Sequence, residues 1–148
     1  MGRILEQLQE VVRQGGQASS IAKLLGFHVT HIEPGSATVE IDITDQYWNP
    51  MGTLHGGILC DISDAAMGLA YAAALNDDES FTTIELKINY LRPFKEGHLK
   101  ATAKTVHRGR TVGVLDCEVF DDRGKVIARA SSTCLTLRGE QTKGRGLS

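Results

Sequence analysis

The 148-residue chain has little of several things, and each shortage removes a class of function. Its three cysteines, Cys60, Cys117 and Cys134, are odd in number, far apart and without a Cys-x-x-Cys pair, so a disulfide framework is not expected and a reduced, cytoplasmic setting is. Charge of one sign is also missing. Sixteen basic and eighteen acidic residues leave a formal net charge of -2, which gives no electrostatic case for nucleic acid or a membrane surface as the main partner. The N-terminal stretch Arg3-Ile4-Leu5-Glu6-Gln7-Leu8 carries acid and amide where a signal peptide needs an unbroken apolar run, so no targeting segment is expected. Internal repeats and low-complexity tracts are absent, and the length suits one domain with a real core.

What is present centres on residues 49–75. The run 58–75 holds Ile58, Leu59, Ile62, Met67, Leu69 and Leu75 among seven alanines or glycines, apolar on all sides. Such a helix is expected to be enclosed. Its length of about 27 Å would reach across a membrane, but Asp61, Ser63 and Asp64 in the first two turns mark it as a soluble core helix. A carboxylate within such a helix is costly to bury unless something satisfies or uses it, which makes Asp64 the main functional clue.

Around this helix the periodicities change. Ile4, Leu5, Leu8, Val11 and Val12 predict an amphipathic helix that ends near Gly15-Gly16, and Ser19 or Ser20 predicts the cap of a short second helix stopped by Gly26. From Phe27 the period is two. Phe27, Val29 and His31 are expected on one face of a first strand, followed by a Pro34-Gly35 turn and a second strand over 37–43. Further strands are expected over 81–91, with Thr82, Ile84, Leu86, Ile88 and Tyr90 (or Leu91) on one face, and over 99–106, 111–120 and 126–137. About six strands before and after one long helix imply an α+β domain over 1–138, its antiparallel sheet wrapped around the helix, with 139–148 a disordered tail.

Specific motifs lie on this frame: Asn49-Pro50, then Leu54-His55-Gly56-Gly57, Asp64 nine residues after His55, a strand from Thr83 ending in Arg92-Pro93, and His107-Arg108-Gly109-Arg110-Thr111. Together they resemble the hotdog-fold acyl-CoA thioesterases of the PaaI-like branch, over about residues 27–137. The resemblance implies hydrolysis of an acyl- or aryl-CoA thioester to free acid and coenzyme A. It implies that the Gly56 amide, supported by Gly57, holds the oxyanion at the positive end of the helix, and that Asp64 is general base or nucleophile. Asn49 and Thr83 would hydrogen-bond the attacking water, His55 would shape the site without carrying a proton, and Arg108, Gly109, Arg110 and Thr111 would meet coenzyme A phosphates. A homodimer or a dimer of dimers (homotetramer), acyl-CoA as substrate, and no metal or redox cofactor complete the expectation.

Each role has a plainer counterpart. Asp64 is otherwise a structural carboxylate, Asn49 an Asn-Pro turn, Thr83 a strand residue, and Arg108 and Arg110 an exposed basic turn; Asp61 is read as an acid favourable in the first helical turn. Arg92 and Lys95 are weaker phosphate candidates. His28 and His31, on opposite faces of a strand, and His98 and His107 do not form a metal pattern. Cys60 is read as a small buried hydrophobe. A non-catalytic acyl-CoA-binding module or a hotdog dehydratase or hydratase shares the fold, and fold alone does not choose among them.

Overall fold

Leu5 and Leu8 are buried on one face of the helix Arg3–Arg13 (α1), which packs on the first strand and stops where Gly15 and Gly16 take positive φ. The computed structural model describes residues 2–146. The short helix Ser20–Leu25 (α2) begins at the Ser19 hydroxyl, which accepts from the Ala22 N–H at 3.2 Å, and ends at Gly26 with φ of 82°. Both caps stand where the residue types place them.

The strands are His28–Glu33 (β1), Ser36–Ile43 (β2), Glu79–Tyr90 (β3), Gly97–Arg108 (β4), Val112–Asp121 (β5) and Val126–Arg138 (β6). They form one antiparallel sheet in the order β1-β2-β4-β5-β6-β3. The β1–β2 turn is Pro34-Gly35, with Gly35 at φ 83°. The single long helix Gly56–Ala72 (α3) lies on the sheet, chiefly over β2, β4 and β5. This is the hotdog architecture that the resemblance implies. Alanines on the inner face, Ala37, Ala101, Ala103 and Ala128, are fully buried and let the helix axis sit close to the strands. Gly113 serves the same end, since a Cβ there would run into the buried Tyr71 ring.

Two bulges overturn expected faces. A register shift between Val29 and His31 turns His31 outward, beside the exposed His28, and gives the inner place to Ile32. A second, between Thr83 and Glu85, leaves Ile84 outward and 56% exposed, so the inner set is Phe81 and Thr83, then Leu86 and Ile88. One extra residue in a period of two exchanges the faces beyond it, and a count along the sequence cannot see the insertion.

Three further expectations are corrected. α3 begins at Gly56, where the motif implies a helix start, but ends at Ala72, short of Leu75. Its own chain covers only the side carrying Leu59, Ile62, Ala66, Met67, Ala70 and Tyr71, while Asp61 and Asp64 are exposed, so the enclosure expected on all sides is not supplied by one chain. The tail expected to be disordered carries a 3-10 turn at Gly139–Thr142, and the Arg145 guanidinium donates to the Phe81 carbonyl at 2.9 Å; residues 147–148 lie outside the described residues. Among the described residues no helix is long and apolar enough to cross a membrane.

Candidate active site

The loop before α3 is held by Asn49. Its Oδ1 accepts the N–H groups of Met51 at 3.0 Å and Thr53 at 3.2 Å, and its Nδ2 donates to the Thr53 hydroxyl at 2.9 Å. Asn49 lines the cleft described below, but its polar atoms are occupied in building the loop, so it favours the turn reading over the water-binding one. The loop is tied outward by two further bonds, Leu54 N–H to the Phe94 carbonyl and His55 N–H to the Tyr47 carbonyl, each 2.8 Å.

These bonds deliver His55 to the N-cap of α3, where its Nδ1 accepts the Gly57 N–H at 3.0 Å. An accepting Nδ1 leaves the proton of a neutral ring on Nε2. Gly57, expected in support of Gly56, has its N–H capped in this way. The Gly56 N–H finds no acceptor among the described residues and stands at the positive end of the helix. A cleft of about 480 Å³ opens beside it, walled by His55, Gly56, Gly57, Tyr90, Arg92 and Phe94.

Tyr90 is a site residue that the period-two reading treated only as a strand position. Its ring lies against Gly56, where an added Cβ would come within 2.8 Å, and its hydroxyl donates to the Gly56 carbonyl at 3.2 Å. Cys60 is half-buried, with Sγ 3.4 Å from the Tyr90 hydroxyl, so it backs Tyr90 and is not the buried core residue expected. The available signal was the strand end Tyr90-Leu91-Arg92-Pro93. A proline that stops a strand leaves its last side chains at a sheet margin.

Asp64 is set apart from this cleft. It lies eight residues beyond Gly56, about 12 Å along the helix axis. The Thr83 hydroxyl on β3 donates to its Oδ1 at 3.3 Å, so the structure does bring Asp64 and Thr83 together. Asp61 shares the open face. Because α3 begins at Gly56, Asp61 falls in the second turn, and the first turn carries no acid, so the first-turn reading of Asp61 is withdrawn. Partial burial, then the neighbouring Asp64 charge, push the Asp61 carboxyl above its usual range against a weaker lowering by His55.

The turn over 108–111 lies off the cleft. The Arg108 guanidinium donates to the Ala74 carbonyl at 3.1 Å and to Glu79 at 3.2 Å and stacks 4.9 Å from the Tyr71 ring, so Arg108 is a structural residue here. Gly109 closes the turn, its N–H donating to the Val112 carbonyl at 2.8 Å. The Arg110 and Thr111 carbonyls accept from Arg138 at 2.6 Å and from the Thr136 N–H at 2.7 Å; Arg110 and Thr111 themselves are exposed. Of the large side chains near the expected pocket, Met67 and Tyr71 are in the core, while Tyr47 and Trp48 line a groove of about 370 Å³ that also reaches His55. Among the described residues no three His, Cys, Asp or Glu side chains converge as metal ligands would.

Comparison with known proteins identifies the family. Residues 51–128 match the family model described as the thioesterase superfamily. A Saccharolobus solfataricus protein assigned only as an esterase is 35% identical over 90% of this chain and 93% of its own length. The acyl-coenzyme A thioesterase PaaI of Escherichia coli is 33% identical over 72% of this chain and 75% of its own. Its solved structure aligns with a TM-score of 0.80 at 26% identity, covering 93% of this chain and 96% of that one. A 1,4-dihydroxy-2-naphthoyl-CoA hydrolase of Listeria monocytogenes is 26% identical over 76% of this chain and 92% of its own.

Proposed function

The chain belongs to the thioesterase superfamily, and from that premise we propose that it hydrolyses an acyl- or aryl-CoA thioester to the free acid and coenzyme A. The observation that carries the reading is the division of labour at the start of α3, where His55 takes the Gly57 N–H and leaves the Gly56 N–H free beside an open cleft. A donor already aimed at developing negative charge lowers the barrier to a tetrahedral intermediate without reorganisation. The thioester carbonyl sits on this N–H. Asp64 either removes a proton from the attacking water, or adds to the carbonyl itself and is released by hydrolysis of the mixed anhydride; collapse of the tetrahedral adduct expels the thiolate of coenzyme A in both routes.

Distance supports a reading of where that acid comes from. A thioester on Gly56 is about 12 Å along the axis from Asp64 of the same helix, beyond the reach of a bound water. Two copies related by a two-fold axis, with their α3 helices antiparallel, bring each Asp64 to the other's Gly56 and form two equal sites. The open face of α3 and the unpaired outer edge of β3, with Ile84, Tyr90 and Leu91 exposed, are the surfaces such a pairing would cover. Thr83 holds the acid and Asn49 the loop, while Arg110 and Thr111 remain the exposed members of the turn assigned to coenzyme A. A homodimer is the smallest active unit, and a dimer of dimers preserves it.

The test is thiol release from a panel of short, long and aromatic acyl-CoAs, with Asp64→Asn and Gly56→Val measured singly and as mixed subunits. Each variant alone should be nearly inactive, and the mixture should regain activity from hybrid dimers with one intact site. Unchanged turnover by Asp64→Asn would sink the assignment of the acid, and a mixture no more active than its parts would sink the shared site.

A further inference from the structure

We propose that Tyr90 is the positioning residue of the oxyanion donor: with His55, its hydroxyl fixes the peptide between Gly56 and Gly57 so that the free Gly56 N–H keeps its aim into the cleft. The inference rests on the reading of Gly56 as that donor and adds a residue and a reason to it.

The reason begins with two successive glycines at the start of a helix. Without a Cβ each has wide backbone freedom, and the first residues of a helix are held by few internal bonds. A donor that must be preorganised therefore stands on the least constrained backbone of α3. The Gly56–Gly57 peptide is, however, gripped at both ends. Its carbonyl accepts the Tyr90 hydroxyl at 3.2 Å, and its N–H is taken by His55 Nδ1 at 3.0 Å. Fixing that peptide fixes ψ of Gly56, and with it the relation between the pinned peptide and the preceding one that carries the Gly56 N–H.

Tyr90 suits this task for three reasons. Its backbone is anchored as the last residue of β3, paired with Ala128, and the next residue, Leu91, donates its N–H to the Ile127 carbonyl at 2.9 Å. Its ring fills the space a Cβ on Gly56 would need, so ring and glycine specify each other. Its hydroxyl remains a donor across the physiological range. The contact with the Cys60 thiol and partial burial push the phenol up to about 12, and with the hydroxyl proton directed to Gly56 the thiol donates to the phenol oxygen, completing a line from Cys60 through Tyr90 to Gly56.

Tyr90→Phe keeps the ring and removes the hydroxyl. With one hydrogen bond of ordinary strength lost from a preorganised donor, kcat should fall roughly five- to tenfold, with KM within about twofold and the melting temperature unchanged. Gly56→Ala should lower kcat strongly in the native background and add little in Tyr90→Ala, because the clash that displaces the peptide is then gone. A Tyr90→Phe enzyme with native kcat, or one whose loss follows a drop in melting temperature, would overturn the inference. Gly56→Ala with native kcat would overturn the reading of Gly56 beneath it, whereas Gly56→Ala impaired beside an unaffected Tyr90→Phe would remove Tyr90 alone.

Discussion

The two ends of α3 are built to opposite purposes. At the C-terminal end the carbonyl groups are answered: Ala73, Ala74 and Leu75 N–H groups close the last turn, the Arg108 guanidinium reaches the Ala74 carbonyl, and Arg108 and Arg138 both bond the buried Glu79. Burial pushes the Glu79 carboxyl up, but the Asn76 N–H and the two guanidinium groups outweigh it and hold the carboxyl below its usual range. Two cations also stand where the helix dipole is negative. At the N-terminal end no acid occupies the first turn, one N–H is capped by His55, and the Gly56 N–H is left for an incoming negative charge. A sealed end secures the fold; an open end keeps a donor without an acceptor among the described residues, one that a substrate would satisfy on the proposed function.

The sharpest way to break the comparison is to remove the acid proposed to serve the open end. Asp64→Asn should reduce turnover by about 10²–10⁴ with the melting temperature unchanged, since Asp64 is exposed in the chain; activity assays and thermal melts on the same sample decide it. At the sealed end the pattern inverts. Glu79→Gln leaves two guanidinium groups around a site whose carboxylate is 4% exposed, and should cost about 3 kcal/mol in denaturant unfolding with kcat within twofold. That figure is the low end of the range for breaking a buried pair, because Arg108 and Arg138 keep 27% and 41% of their side-chain surface in water. A Glu79→Gln protein as stable as its parent would show that the sealed end is not a stability device.

Two glycines make a smaller, paired test. Gly56 abuts Tyr90, which is 54% exposed, and Gly113 abuts Tyr71, which is fully buried. The Tyr90 ring is not enclosed by its own chain. Tyr71 is fixed by the Thr136 hydroxyl at 2.6 Å, the Phe81 ring at 5.6 Å and the Arg108 guanidinium. Gly113→Ala should therefore cost about 1–3 kcal/mol by overpacking, while Gly56→Ala should cost turnover with a small change in melting temperature. Equal stability losses at both would erase the distinction between the two ends.

How much of this was legible in the sequence follows the same division. The caps at Ser19 and Gly26, the Pro34-Gly35 turn, six strands and one long helix were readable because each rests on local backbone preferences and short periods. His55-Gly56-Gly57 was readable as a helix start because residue type and spacing state the chemistry. The faces of β1 and β3 were not, since a bulge is set by pairing across the sheet. Arg108 looked like a surface cation because Glu79 is 29 residues away in sequence. Tyr90 and Asp64 were misread in complementary ways: Tyr90 joins the Gly56 cleft through a contact 34 residues distant, and Asp64, expected to be buried, is open on a face that one chain leaves uncovered.

The smallest expected effect belongs to neither end and so serves as a control on both. On the outer face of the sheet His98 lies between two carboxylates, with Nε2 2.7 Å from Glu40 and Nδ1 2.7 Å from Asp42; Lys100 approaches Glu40 at 3.7 Å. The hydrogen bonds to Glu40 and Asp42 raise the imidazole above its ordinary value against a weaker lowering by burial. Burial raises Glu40, but the Thr30 hydroxyl, His98 and Lys100 together hold it below the usual range. A raised folded value means the charged ring is favoured by folding. Its contribution is complete below the unfolded value near pH 6.5 and is lost as pH rises through the folded one. Glu40 runs the other way, its contribution present above the unfolded carboxyl value and lost as pH falls through the folded one. His98→Gln should therefore melt below the parent at pH 6 and converge with it at alkaline pH, with kcat/KM following the parent throughout. A melting difference that does not shrink with rising pH would show that His98 acts through packing, and a shift in the kcat/KM profile would show that the sheet's outer face is coupled to the open end of α3.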